Sequence, residues 1–189
     1  MTQRLIYVVG PSGAGKDSVL HRLRETWVDM PPAHWARRTV TRAAQAGGEA
    51  NECVGSAEFE RLRQAGAFAM DWQANGLCYG IRRPELAPLS TGHCVFVNGS
   101  RAYLPQVLRH WPQATVVQIT ARTELLLQRL RARNRESVQA ISDRLARGVD
   151  LELPPNAICI INEGPMADAV EMLSSALRIR LEAVDEIAP

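Results

Sequence analysis

Leu5-Ile6-Tyr7-Val8-Val9-Gly10-Pro11-Ser12-Gly13-Ala14-Gly15-Lys16-Asp17-Ser18 is the stretch whose reading decides the fold. The five apolar residues at its start read as a short strand, too apolar to be half exposed. Val19, Leu20, Leu23 and Trp27 then fall at helical spacing and predict a helix over about 15–27. Strand, glycine loop, lysine and helix in that order form a P-loop motif, which binds the phosphates of a nucleotide. Glycines let successive backbone N–H groups turn inward around a phosphate, and the helix N-terminus adds partial positive charge. Gly10, Gly13 and Gly15 stand where this geometry needs them. Lys16 is the only lysine among the 22 basic residues. A mobile ammonium can reach β- and γ-phosphates where a planar guanidinium substitutes poorly. Gly10, Pro11, Ser12, Gly13, Ala14, Gly15, Lys16, Asp17 and Ser18 are therefore the expected nucleotide-binding residues, with Lys16 catalytic.

One position departs from the pattern. The residue after a P-loop lysine is normally Ser or Thr, whose hydroxyl ligates Mg²⁺. Here it is Asp17, followed by Ser18. A carboxylate is a good hard ligand for Mg²⁺, although it carries negative charge toward the phosphates. The expected metal residues are Asp17, binding Mg²⁺ directly or through its water, and Ser18 assisting. The competing reading makes Asp17 only a charge partner of the helix N-terminus.

The 189 residues suit one domain, and 46% apolar with 22% charged content is ordinary for a globular chain. A net charge of +2 gives no strong field toward nucleic acid or an anionic membrane. No leader pattern opens the chain and nowhere do about 18 apolar residues run together. The expectation is a cytoplasmic protein without nucleic-acid or membrane partners. Cys53, Cys78, Cys94 and Cys159 are scattered and read as reduced. The four histidines show no metal-ligand spacing, and the four tryptophans read as packing anchors, with Trp72 able to flank an acceptor site.

Further strands are expected at Cys94–Val97, Thr115–Thr120 and Ala157–Ile161, and helices near 102–110, 122–133 and 166–183. Alternating strands and helices predict an α/β chain of P-loop NTPase type with a doubly wound parallel sheet. Residues 35–92 differ, being rich in Gly, Ala and Gln with one clear helical stretch around Ala57–Gln64. They read as an inserted, mixed subdomain. Residues 134–150 are basic and helical, and read as a lid. The expected organisation of the single domain 1–189 is thus a core of 1–34, 93–133 and 151–189, an insert of about 35–92, and a helical lid of about 134–150.

Beyond the P-loop come Arg38-Thr39-Val40-Thr41-Arg42, Gly48-Glu49, Tyr79-Gly80, the arginine run Arg129–Arg133, Ser142-Asp143-Arg144-Leu145 and Ile161-Asn162. With these, nearly the whole chain resembles the guanylate kinase family. That resemblance implies acceptor-phosphate contacts from Arg42, Tyr79 and Arg38, and catalytic lid arginines at Arg133 and Arg144. It also implies ATP as co-substrate and Mg²⁺. The departures concern the acceptor. Gln45 stands for a second phosphate-holding arginine, and Ile81 for a guanine-reading serine. Asn98 and Ser100 stand for two acids. A purine pocket without those partners would leave buried groups unsatisfied at about 1–3 kcal/mol each.

Gly10–Ser18 with Asp17, Asp71-Trp72 leading to Asn75-Gly76-Leu77-Cys78-Tyr79-Gly80, and Val97-Asn98-Gly99-Ser100-Arg101 resemble a narrower group. These are the ribose 1,5-bisphosphate phosphokinases of phosphonate breakdown. The resemblance implies a small-molecule sugar phosphate as acceptor and 5-phosphoribosyl 1-diphosphate as product. Asn98 and Ser100 lie at a strand end, where open α/β sheets place ligands, and their neutral groups suit sugar hydroxyls. Spacing alone stops at a nucleotide-dependent phosphotransferase. The alternatives are a guanylate kinase or another small-molecule kinase on the same scaffold, and an inert interaction module. The module reading is opposed by the intact Lys16, Gly13 and Gly15. The oligomeric state stays open, a homodimer included.

Overall fold

The computed structural model describes residues 4–42, 51–132 and 152–187. The chain divides into two compact units, one of residues 1–7 with 31–114 and one of residues 8–30 with 115–189. Strand β1 (Leu5–Val9) passes from the first into the second, with all five residues fully buried. Complete burial of a five-residue apolar run explains its lack of alternation. Each large side chain there contributes about 1.5–3 kcal/mol by leaving water.

In the first unit the strand order is β2-β7-β1, with β2 at Ala33–Trp35 and β7 at Cys94–Asn98. β2 and β7 run parallel and pair Trp35 with Phe96, whose rings stack at 4.0 Å. The same unit holds a second sheet of order β4-β3-β6-β5. Its strands are β3 (Arg38–Val40), β4 (Glu52–Cys53), β5 (Phe68–Ala74) and β6 (Leu77–Arg82). β5 and β6 form an antiparallel hairpin closed by Asn75 and Gly76, both at positive φ (53° and 73°). That is the backbone an Asn-Gly hairpin turn requires.

Helix α2 (Ser56–Gln64) buries Phe59 and Leu62 against Phe68 of β5. The Phe68 ring crosses β6 so closely that a Cβ on Gly80 would lie 2.5 Å from it, which is why the Tyr79-Gly80 pair carries a glycine. On β3, Thr39 is 1% exposed and its hydroxyl donates to Glu52, which also pairs with Arg82 at 2.7 Å. A buried hydroxyl needs such a partner. Glu52 is therefore engaged within the sheet. Two short helices, α3 (Arg83–Leu86) and α4 (Leu104–His110), complete the unit.

In the second unit β1 is followed by β8 and β9 in the order β1-β8-β9. β8 (Thr115–Thr120) and β9 (Ile158–Ile161) pair in parallel, as the alternating pattern predicts. Three helices belong here: α1 (Lys16–Glu25), α5 (Thr123–Ala132) and α6 (Met166–Ile187). α6 turns Ala169, Val170, Leu173, Leu177 and Leu181 inward at helical spacing and packs on α1 and β9. The lid expected at 134–150 lies outside the described residues. Among the described residues no helix is long and apolar enough to cross a membrane. The four cysteines are free thiols.

Candidate active site

The loop between β1 and α1 takes its shape from contacts within its own unit. A Cβ on Gly10 would overlap the Ile119 carbonyl of β8. Gly15 is the N-cap of α1 in the left-handed region (φ 85°), a conformation that costs a side-chain-bearing residue about 1–2 kcal/mol. A Cβ there would also lie 2.5 Å from Asn162 Nδ2. Having no side chain, Gly15 leaves the first turn of α1 without a side-chain cap. An uncapped helix N-terminus behind a glycine loop is an anion site in waiting. The residues present thus fit a nucleotide phosphate chain.

Lys16 opens α1 and curls over the loop, its Nζ donating to the carbonyls of Gly10 (2.9 Å) and Pro11 (3.1 Å). The ammonium is therefore held above the loop it serves. Asp17 and Ser18 follow on the exposed side of the first turn. A carboxylate and a hydroxyl one residue apart at a helix start form a hard-oxygen donor set suited to Mg²⁺. Pro11, Gly13 and Ala14 are buried, while Gly10, Ser12 and Gly15 are half-buried.

Two residues to which the sequence reading gave no role support the loop. Asn162, at the end of β9 and 1% exposed, donates from Nδ2 to the Ala14 carbonyl at 2.8 Å. Its own backbone N–H donates to Thr120 at 2.7 Å, fixing the β9 end to β8. Arg129 of α5 is half-buried, with Nη1 at 3.5 Å from the Gly13 carbonyl. Arg131 is exposed, as a solvated face requires. Asn162 closed a family motif in the sequence, but only the fold brings it 148 positions back to Ala14.

The expected acceptor residues lie in the first unit. Arg38 and Tyr79 meet on the four-stranded sheet, the guanidinium 5.7 Å from the ring centroid. Arg38 Nε also donates to Asn51 at 3.4 Å. Trp72, paired with Tyr79 across β5 and β6, stacks on it at 5.7 Å, and Tyr103 tilts against Trp72 at 5.9 Å. Burial raises the Tyr103 phenol above its ordinary pKa, and the Asp71 backbone hydrogen-bonds to it. Arg42 is half-buried just past β3, its backbone N–H turned to Val40 at 2.9 Å. Asn98 ends β7, and Ser100 precedes a short 3₁₀ turn, Arg101–Tyr103. Burial lowers the Arg101 pKa. Ile81, which stands for a guanine-reading serine, is fully buried. Gln45, Gly48, Glu49, Arg133 and Arg144 lie outside the described residues.

Comparison with known proteins decides the family. The chain is 45% identical over 175 residues to a ribose 1,5-bisphosphate phosphokinase PhnN of Pseudomonas paraeruginosa, covering 92% of this chain and 94% of that protein. The chain belongs to the ribose 1,5-bisphosphate phosphokinase PhnN family. A second PhnN relative, from a Janthinobacterium species, is 46% identical over 177 residues but longer, so the chain spans 39% of it. No protein-family model matches. Among solved structures, a guanylate kinase from Anaplasma phagocytophilum superposes with a TM-score of 0.67 at 18% identity, covering 95% of this chain and 87% of that one. At that identity the likeness concerns the fold, which is the α/β P-loop kinase fold expected from the sequence.

Proposed function

We propose that the chain transfers the γ-phosphoryl group of ATP to the 1-phosphate of ribose 1,5-bisphosphate, giving 5-phospho-α-D-ribose 1-diphosphate and ADP in phosphonate breakdown. The observation that carries this reading is the identity to PhnN kinases over nearly the full chain. An oxygen of the acceptor phosphate attacks the γ-phosphorus, and the bond from that phosphorus to the bridging oxygen breaks. The acceptor oxygen is already ionised near neutral pH, so no general base is needed and catalysis rests on position and charge.

Gly10 to Ser18 hold the phosphates of ATP, and Lys16 leaves the Gly10 and Pro11 carbonyls to meet the β- and γ-phosphates. Asp17 and Ser18 would hold Mg²⁺, whose charge would offset that of the phosphates. Arg42, Arg38 and Tyr79 grip the acceptor phosphates. Arginine forks match phosphate oxygens, which suits the two arginines to that work. Asn98 and Ser100 face the sugar hydroxyls. Arg133 and Arg144 act from the lid, which excludes water from the transferring group. Residues 35–92 serve as the acceptor-binding insert, and the enzyme works in the cytoplasm beside its nucleotide.

Steady-state turnover of the purified chain with ATP, followed by ADP release, tests the assignment. With ribose 1,5-bisphosphate, kcat/KM should exceed that with GMP by about 10⁴, the scale set by unpaired polar groups in a mismatched pocket. Comparable efficiency with GMP contradicts the proposal.

A further inference from the structure

Tyr7 stands in the middle of β1, fully buried among Leu5, Ile6, Val8 and Val9. A phenol in such a strand must satisfy its hydroxyl or lose stability. It does so twice at one residue. The Ser100 N–H donates to the Tyr7 oxygen at 2.9 Å, and the Tyr7 O–H donates to the Ser100 carbonyl at 3.1 Å. Burial pushes the phenol far above its ordinary pKa, so it remains a donor throughout the working pH range.

The ring also dictates the neighbouring residue. A Cβ on Gly99 would overlap the Tyr7 ring, so the loop after β7 passes there only as glycine. The Ser100 carbonyl accepts a second bond, from the Tyr103 N–H at 3.2 Å. Tyr103 meets Trp72, and Trp72 stacks on Tyr79. One hydroxyl in the core strand therefore anchors a line of contacts that runs through the Asn98–Ser100 loop to the tyrosine of the acceptor sheet.

We infer that Tyr7 is a positioning residue for the acceptor, its hydroxyl fixing the Asn98–Ser100 loop in the register that meets the sugar phosphate. The inference rests on the function proposed above. A phenylalanine would fill the same space but leave the Ser100 N–H and carbonyl without that partner.

The test is Tyr7→Phe, with KM for the acceptor, KM for ATP, kcat and melting temperature measured together. The acceptor KM should rise about tenfold, the scale of one lost buried hydrogen bond, while the ATP KM stays within about twofold. Gly99→Ala drives a Cβ against the hydroxyl end of the Tyr7 ring, displaces the same loop and should raise the acceptor KM in the same selective way. The double variant should be no worse than the more damaging single one, because both act on one contact. A lowered melting temperature with both KM values unchanged, or an equal rise in both, overturns the inference. Should Tyr7→Phe fail to fold, Gly99→Ala alone decides it by the same split. Wild-type turnover is recorded first. Absence of turnover with ribose 1,5-bisphosphate contradicts the proposed function, and the split is then read with the acceptor the wild type does use.

Discussion

Lys16 makes two contacts with its loop that suit an ammonium better than a guanidinium. Its ammonium lies within 3.1 Å of both the Gly10 and Pro11 carbonyls, a compact approach that a planar fork cannot copy. Lys16→Arg keeps the charge and should still lower kcat by about a hundredfold, the scale for losing one preorganised charge contact. Steady-state kinetics check this, and a fall in ATP affinity with kcat intact would make the lysine a ground-state anchor only. Asp17 is the more diagnostic neighbour. Asp17→Ser restores the usual hydroxyl and should shift the Mg²⁺ concentration for half-maximal rate by several-fold, as a change of ligand charge does. An unchanged Mg²⁺ dependence and turnover would reduce Asp17 to a helix-start charge. The place of both residues at the start of α1 was legible from the sequence, because a P-loop motif is contiguous. Tyr7 and Asn162 were not, because their partners are Ser100 and Ala14, brought near only by strand pairing.

At the scale of elements, legibility followed burial. β1 was readable because a run buried on both faces carries an unbroken apolar signal, and β8 because its β-branched residues Thr115, Val116, Val117 and Ile119 favour a strand. β8 occupies the expected residues Thr115–Thr120, and α1, α2 and α5 lie within or beside the expected helices. β2 and β3, three residues each, are too short for any period to register. The hairpin of β5 and β6 did leave a signal, Asn75-Gly76 between two partly alternating runs, and the sequence reading used it as a family mark instead of a turn. The P-loop itself is an element held by its neighbours. Asn162→Ala leaves the Ala14 carbonyl without its buried donor, at a cost of about 1–3 kcal/mol. The ATP KM and kcat should both suffer by about tenfold while the acceptor KM stays put. An effect of Asn162→Ala confined to thermal stability would show that the loop needs no such strut.

At the scale of the whole molecule, the residues given a proposed role fall in two compact units. One carries Gly10 to Ser18 with Lys16, the other Arg38, Arg42, Tyr79, Asn98 and Ser100. The central claim is that phosphate is added to phosphate on a sugar. The most direct measurement is the ³¹P NMR spectrum of the products after the full chain consumes ATP with ribose 1,5-bisphosphate. The account predicts ADP together with a diphosphate at the sugar's first carbon and an untouched 5-phosphate. Release of inorganic phosphate with the sugar phosphate unchanged, or a new phosphate monoester on a ribose hydroxyl, would contradict it.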